Sequence, residues 1–340
     1  MKIGIAGVGG MGRHHGRVVK EFKFVREILG CDLSPDARKL AEKEGMRTVG
    51  DLPTLLAWKP DAVIVATQPS AHAPLIEACF QAGVPVLTEK PLATTIADCR
   101  RLVAMGKKLR IPFQVGFELR YCGLHRAMVD VVKSGKIGKP VSMGLVQISG
   151  AHQKGYFTKK RCVGIFWEKL CHQVDIYRYW FGEPERIMAF AGQNVIKHYG
   201  ISDNVQAVIA FPGGHSGTIT MTSARAAQVG GTDDHGDRGH FYELTLTCTK
   251  GSVTYEAWTE MISVVKFNHR PDCLTELVER FAVEPRYPHA GYNLTDQDTD
   301  FFLRVRDGKK LQFPAEDALK TMEWVAKAEK SISQGGKWIT

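Results

Sequence analysis

The stretch Lys2-Ile3-Gly4-Ile5-Ala6-Gly7-Val8-Gly9-Gly10-Met11-Gly12 decides how the chain begins to fold. An apolar strand runs into Gly7-x-Gly9-x-x-Gly12 and a helical pattern follows. Asp32 stands twenty residues past Gly12, at the end of a second apolar run from Val25 to Cys31. Strand, glycine turn, helix and distal acid, in that order, make a dinucleotide-binding fingerprint. Gly7 allows the tight turn, Gly9 lets backbone approach a pyrophosphate, and Gly12 lets the helix lie close on the strand. The free N–H groups and positive end of that helix then face phosphate charge. A glycine-rich turn that merely tightened a β-α-β unit would leave Asp32 unexplained.

Working outward, residues 1–119 alternate between strands (2–6, 25–32, 61–66, 85–88 and 112–116) and helical stretches such as Pro35–Gly45 and Ala71–Gly83. That alternation predicts an α/β fold, a doubly wound parallel Rossmann sheet whose ligands bind beyond the C-terminal strand ends. A carboxylate at Asp32 accepts hydrogen bonds from the adenosine ribose hydroxyls and repels a 2′-phosphate, which favours NAD. Arg38 keeps NADP as the minority option, and the alternative for Asp32 is a helix cap shared with Ser34. Thr67-Gln68-Pro69-Ser70-Ala71-His72 passes over the cofactor, with Ser70 as a candidate cap. His72 either meets the nicotinamide ribose or covers the helix end. The next strand ends in Glu89-Lys90-Pro91, before a capping box at Thr95-x-x-Asp98. A lysine there can hydrogen-bond a substrate hydroxyl and help carry its proton. The bland alternative is a solvated lysine in a turn.

Bulk properties narrow the class. At 340 residues two domains are expected. No apolar run approaches the ~20 residues of a membrane span. Met1 leads straight into the first strand, leaving no room for a signal peptide. The cysteines (31, 79, 99, 122, 162, 171, 248 and 273) form no C-x-x-C pair, so neither a zinc site nor a disulfide framework is indicated, and a reduced, cytoplasmic protein is expected. The net charge of +9 comes from scattered residues without a basic-aromatic motif, so it speaks for solubility or an anionic cofactor rather than nucleic acid.

After Arg120-Tyr121 the pattern changes. A short helix at about 124–134 precedes β-rich runs at 140–150, 185–193, 204–212, 215–224, 242–248, 252–258 and 260–268. Turns such as Pro212-Gly213-Gly214 and Lys250-Gly251 predict a C-terminal α/β domain with a large, mostly antiparallel open sheet. Such a sheet needs cover on each face: helix 165–181 can supply one, and a second subunit could supply the other. Residues 292–307 and 315–334 read as helices. The domains expected are 1–119, 120–314 and a C-terminal helix, 315–340.

Within helix 165–181, Glu168, His172 and Asp175 are spaced i, i+4, i+7 on one face. His172 has the natural pKa for moving a proton near neutrality, and Glu168 or Asp175 can fix its tautomer. A satisfied buried histidine with one carboxylate partner is the alternative. Arg120, Tyr121, His152, Lys154, Tyr156 and Tyr292 could offer hydrogen bonds to a sugar-like ligand, the alternative for each alone being a surface or core role. Asp233, Asp234, His235, Asp237, Arg238 and His240 superficially resemble metal ligands but read as surface loop, and no metal site is assigned.

Together, Gly7–Gly12, the segment from Thr67 to His72 and Glu89-Lys90-Pro91 resemble the glucose–fructose oxidoreductase, inositol dehydrogenase and MocA family, over essentially the whole chain. The resemblance implies an NAD-dependent dehydrogenase for a secondary hydroxyl of a sugar, inositol or derivative. It implies that Lys90 and His172 handle the hydroxyl, within an Asp-x-x-x-His-x-x-Asp pattern that His172 and Asp175 match. Glu168 stands one methylene longer than the usual aspartate, and the glycine-rich lead-in is thinned to Val163-Gly164-Ile165. Lys90, Arg120, Tyr156, Glu168, His172 and Asp175 are the candidate substrate contacts. Gly7, Gly9, Gly10, Met11, Gly12, Asp32, Thr67, Gln68, Pro69, His72, Glu89 and Lys90 are the candidate cofactor contacts. Two other activities fit the family: glycoside cleavage by transient oxidation and elimination, and dinucleotide-binding regulation without turnover. The resemblance also implies last helices packed back near the first domain, and a homodimer or homotetramer.

Overall fold

The apolar runs before residue 117 assemble into one parallel sheet in a computed structural model of the chain, which describes residues 1–150, 163–225, 241–256, 259–268, 275–284, 286 and 293–340. The strands are β1 (Lys2–Ala6), β2 (Glu27–Cys31), β3 (Arg47–Val49), β4 (Ala62–Val65), β5 (Val86–Glu89) and β6 (Phe113–Gly116). Their order is β3-β2-β1-β4-β5-β6, so the direction of winding reverses between β1 and β4. Helices α1 (Gly10–Lys20), α2 (Pro35–Lys43), α3 (Leu52–Ala57), α4 (His72–Gln81) and α5 (Ile96–Leu109) make the connections. Caps fix where they begin. Ser34, Asp51 and Thr95 accept the backbone N–H of Ala37, Thr54 and Asp98, and the Thr95 hydroxyl donates to Asp98 at 2.7 Å. Ser70 does not cap α4, because Pro69–Ala71 forms a 3-10 turn and Ala71 takes the cap position. β3 carries no apolar run of its own and went unread in the sequence.

The second sheet is built from β7 (Pro140–Gly150), β8 (Arg186–Ala191), β9 (Asn204–Ala210), β10 (Ser216–Arg225), β11 (Phe241–Cys248), β12 (Gly251–Glu256), β13 (Met261–Phe267) and β14 (Thr275–Ala282). Its order is β14-β13-β12-β11-β7-β10-β9-β8. β7 and β10 run parallel and the other described pairs are antiparallel, as expected of a mostly antiparallel open sheet. Met143, Leu145, Ile219, Met221, Leu244, Leu246, Val253 and Ile262 point to the buried face. Helix α6 (Gly123–Lys133) contributes buried Leu124, Ala127 and Met128 to the same unit. Helix α7 (Cys171–Phe181) covers the buried face: the Tyr177 hydroxyl donates to the carbonyls of Met143 and Thr218, and a Cβ at Gly217 would strike the Tyr177 ring.

The chain divides into two units, residues 1–118 with 294–323 and residues 119–293 with 324–340. This differs from the expected boundary at 314. Helix α8 (Leu294–Arg306) belongs with the first unit because Phe301 and Phe302 fill its core beside Ile3, Ile5 and Ile64. Helix α9 (Ala315–Ser333) follows. Among the described residues no helix is long and apolar enough to cross a membrane, and no cluster of His, Cys, Asp or Glu is arranged to hold a metal. The described cysteines, 31, 79, 99, 122, 171 and 248, are all buried.

One buried group sets an acid limit on the second unit. His125 on α6 is 1% exposed, and neither ring nitrogen has a hydrogen-bond partner among the described residues. Burial pushes its pKa from 6.5 down to about 4. The unfolded chain therefore binds this proton more readily, and stability is lost as pH falls from 6.5 toward 4. The window corresponds to about 3 kcal/mol. A His125→Leu variant followed by urea unfolding at pH 7 and pH 4.5 is expected to lose less stability on acidification than the native chain. Equal losses would remove His125 from the account.

Candidate active site

In the first unit the glycine turn lies at the C-terminal end of β1. Gly7 has φ +90°, a conformation open to glycine, and a Cβ on Gly12 would sit 1.8 Å from the Gly7 carbonyl oxygen. A Cβ on Gly9 or Gly10 would meet nothing within 4 Å, so backbone faces open space at the start of α1. No acidic residue occupies the first turn of α1. Unobstructed N–H groups at the positive end of a helix suit a pyrophosphate. Met11 is half-buried beside them.

Asp32 closes the turn from the neighbouring strand. Its Oδ2 accepts the Val8 N–H at 3.0 Å and its Oδ1 the Ser34 N–H at 2.8 Å. The carboxylate thus holds the glycine loop and the start of α2, with acceptor capacity left for a ribose hydroxyl. Arg38 donates to the backbone carbonyl of Asp32 at 2.7 Å, which draws the guanidinium along the loop. These residues fit a dinucleotide.

Thr67, Gln68 and Pro69 leave the end of β4 with intermediate or full exposure. His72 lies inside the first unit. It is 0% exposed, with Nδ1 2.9 Å from the Pro91 carbonyl and Nε2 3.1 Å from the Thr67 carbonyl. Burial holds its pKa below the usual value. A neutral ring donates from one nitrogen only, so one of these is a hydrogen bond and the other a packing contact between the turns after β4 and β5.

Lys90 follows β5 directly and is partly exposed, whereas Glu89 is 6% exposed. Glu89 Oε2 accepts the Lys90 backbone N–H at 3.2 Å, and Oε1 lies 3.1 Å from His15 Nε2. Glu118, after β6, is also buried. Burial first, then the Glu89 charge, pushes its carboxyl up to about 8, against the pull of Lys90. His15 and Glu118 went unread in the sequence. The available signal for His15 was its place three residues after the packing glycine, on the inner side of α1.

In the second unit the candidate helix is not α-helical throughout. Phe166–Leu170 forms a π-helical turn that runs into α7. Glu168 lies in that turn, so the i, i+4, i+7 face expected from an unbroken α-helix is modified at its first member. Glu329 of α9 accepts the Phe166 N–H at 2.7 Å, which anchors the start of the turn. A Cβ at Gly164 would strike the same carboxylate. Lys169 reaches Ser223 Oγ at 3.2 Å. Glu168 and His172 are partly exposed and Asp175 is 0% exposed.

Asp175 pairs with Arg120. Arg120 Nε and Nη2 each donate to one carboxylate oxygen at 2.6 Å, a two-point fork. Arg120 also lies over the Tyr179 ring, 5.9 Å from its centre. Two groups assigned from the sequence to the substrate thus hold each other. Tyr156, His152, Lys154, Tyr292 and the cluster 233–240 lie outside the described residues.

Comparison with known proteins gives the family. Residues 1–117 match the family described as "Oxidoreductase family, NAD-binding Rossmann fold", and residues 125–254 match "GFO/IDH/MocA C-terminal domain". The chain is 27% identical over 272 residues to myo-inositol 2-dehydrogenase of Thermotoga maritima, covering 71% of this chain and 81% of that one. It is 30% identical over 188 residues to inositol 2-dehydrogenase 2 of Mycolicibacterium vanbaalenii, where it spans 54% of either chain. A crystal structure of an oxidoreductase from Agrobacterium radiobacter, in complex with NAD+, L-tartaric acid and magnesium, superposes with a TM-score of 0.81 at 21% identity, covering 100% of this chain and 98% of that one.

Proposed function

Because the chain belongs to the Gfo/Idh/MocA family of NAD-binding oxidoreductases, we propose that it is an NAD-dependent dehydrogenase for a secondary hydroxyl of a sugar, inositol or related polyol. The observation that supports this most is the position of Lys90. It leaves β5 at the sheet edge that carries the glycine turn, and β1, β4 and β5 are consecutive. Two strand spacings are about 10 Å, so a dinucleotide anchored at β1 and lying along this edge passes Lys90.

When bound, nicotinamide supplies the hydride acceptor, at C4. The chain's own groups manage the rest. Lys90 hydrogen-bonds the alcohol oxygen and favours its loss of a proton. His172 takes that proton as the carbon–hydrogen bond breaks and the carbonyl forms, so one alcohol gives one ketone, one reduced coenzyme and one proton. Arg120, fixed by Asp175, orients the substrate, and Glu168 faces its hydroxyls. Asp32 selects NAD over NADP.

A panel of inositols, aldoses and glycosides with NAD and with NADP tests the proposal. Reduced coenzyme is expected to accumulate with NAD and at least one polyol or sugar. Aglycone release without net coenzyme reduction would instead identify oxidation followed by elimination. Tight NAD binding with no turnover of any member would end the enzymatic reading.

A further inference from the structure

His15, Glu89 and Asp298 come from α1, β5 and α8 and meet inside the first unit. His15 Nδ1 lies 2.7 Å from Asp298 Oδ2 and Nε2 lies 3.1 Å from Glu89 Oε1. Exposure is 1% for His15, 6% for Glu89 and 0% for Asp298. An ionised carboxylate only accepts, and a neutral imidazole donates from one nitrogen. Two carboxylates on the two ring nitrogens therefore require an imidazolium, or else a protonated carboxyl. The charges favour the imidazolium. Burial opposes the ring's charge, yet Asp298 and Glu89 carry its pKa up to about 10, and His15 in turn holds Glu89 below the usual carboxylate range despite burial. Lys90 and His72 also act on Glu89, and Glu118 faces both Glu89 and His15. The second oxygen of Glu89 holds the Lys90 backbone N–H at 3.2 Å.

We propose that His15 is a positioning residue for Lys90: as an imidazolium clamped between Asp298 and Glu89, it fixes the Glu89 carboxylate against the Lys90 backbone and so fixes where the lysine leaves the sheet. The proposal rests on Lys90 being the lysine that meets the alcohol. It extends the site to α8, the helix that supplies Asp298 from far along the chain. The clamp is a charged device in a place where apolar side chains would pack as well, which points to orientation rather than stability.

The test uses the full chain labelled with 15N-histidine. Ring-nitrogen spectra between pH 6 and 10 are expected to show one histidine with both nitrogens protonated at pH 8, a signal absent from His15→Gln. In Asp298→Asn, which keeps the shape of the partner but removes its charge, that ring is expected to lose its proton about one pH unit or more lower. Both variants are expected to lose between about 10- and 100-fold in kcat, with NADH affinity by fluorescence titration unchanged. A singly protonated ring at pH 7 in the native chain overturns the clamp, even with Lys90→Met inactive. Weakened NADH binding with intact kcat overturns it too, and makes His15 a support for the glycine helix. Full turnover by Lys90→Met removes the role of Lys90, and the positioning of it, whatever the state of the ring.

Discussion

A Lys90→Met variant is expected to turn over its alcohol at least ~10²-fold more slowly than the native chain, with NADH affinity retained. Methionine preserves most of the side chain's length and apolar contact while removing the charge and the donor. The pyrophosphate cradle at Gly7 to Gly12 lies two strands away on the sheet, so the main anchor of the dinucleotide is expected to survive the loss of this ammonium. His172→Asn is expected to fall by a comparable factor, since asparagine hydrogen-bonds but does not accept a proton near neutrality. The double variant then discriminates. Groups that serve one proton transfer are not additive, so the pair is expected to cost little more than the worse single change. Independent roles would instead multiply to ~10⁴-fold. Initial rates of coenzyme reduction give kcat, and quenching of NADH fluorescence gives affinity. A Lys90→Met enzyme with native turnover would falsify the assignment.

The parts legible in the sequence are those whose physics is local. A left-handed turn at Gly7 and a backbone contact at Gly12 admit almost no other residue, so the glycine spacing carries the turn on its face. The same holds for the Thr95 cap and the glycine turn between β9 and β10. The two strands that went unread, β3 and β14, are both sheet edges. Edge strands carry charge and exposed positions, as in Thr275-Glu276-Leu277-Val278-Glu279-Arg280, and the period-two apolar signal is weak there. The π-helical turn at Glu168 was likewise invisible. Residue identity barely separates i→i+5 from i→i+4 bonding, and the choice is made by surroundings such as the Glu329 carboxylate on the Phe166 N–H. The same reasoning covers the site. Lys90 and His172 announce themselves by motif, whereas the partnership of His15 with Asp298 spans 283 positions and the Arg120–Asp175 fork spans 55.

That fork carries the largest stability effect expected in the second unit. Arg120 and Asp175 side chains are 6% and 1% exposed, and both bonds are 2.6 Å long. Replacing Arg120 by leucine removes two charge-assisted donors and leaves the Asp175 carboxylate deprived of its guanidinium in a buried setting. Breaking one side of such a pair costs about 3–5 kcal/mol, read as a fall in the urea midpoint with the slope unchanged. Adding Asp175→Asn to Arg120→Leu is expected to recover part of that loss, because the amide keeps the shape of the carboxylate without its charge. The recovered protein then separates architecture from recognition. If Arg120 orients the substrate, the double variant folds, binds NADH and still shows a raised KM for the alcohol. A double variant with native KM assigns the fork to the scaffold alone, and a single variant as stable as the native chain would mean that water reaches the pair after all.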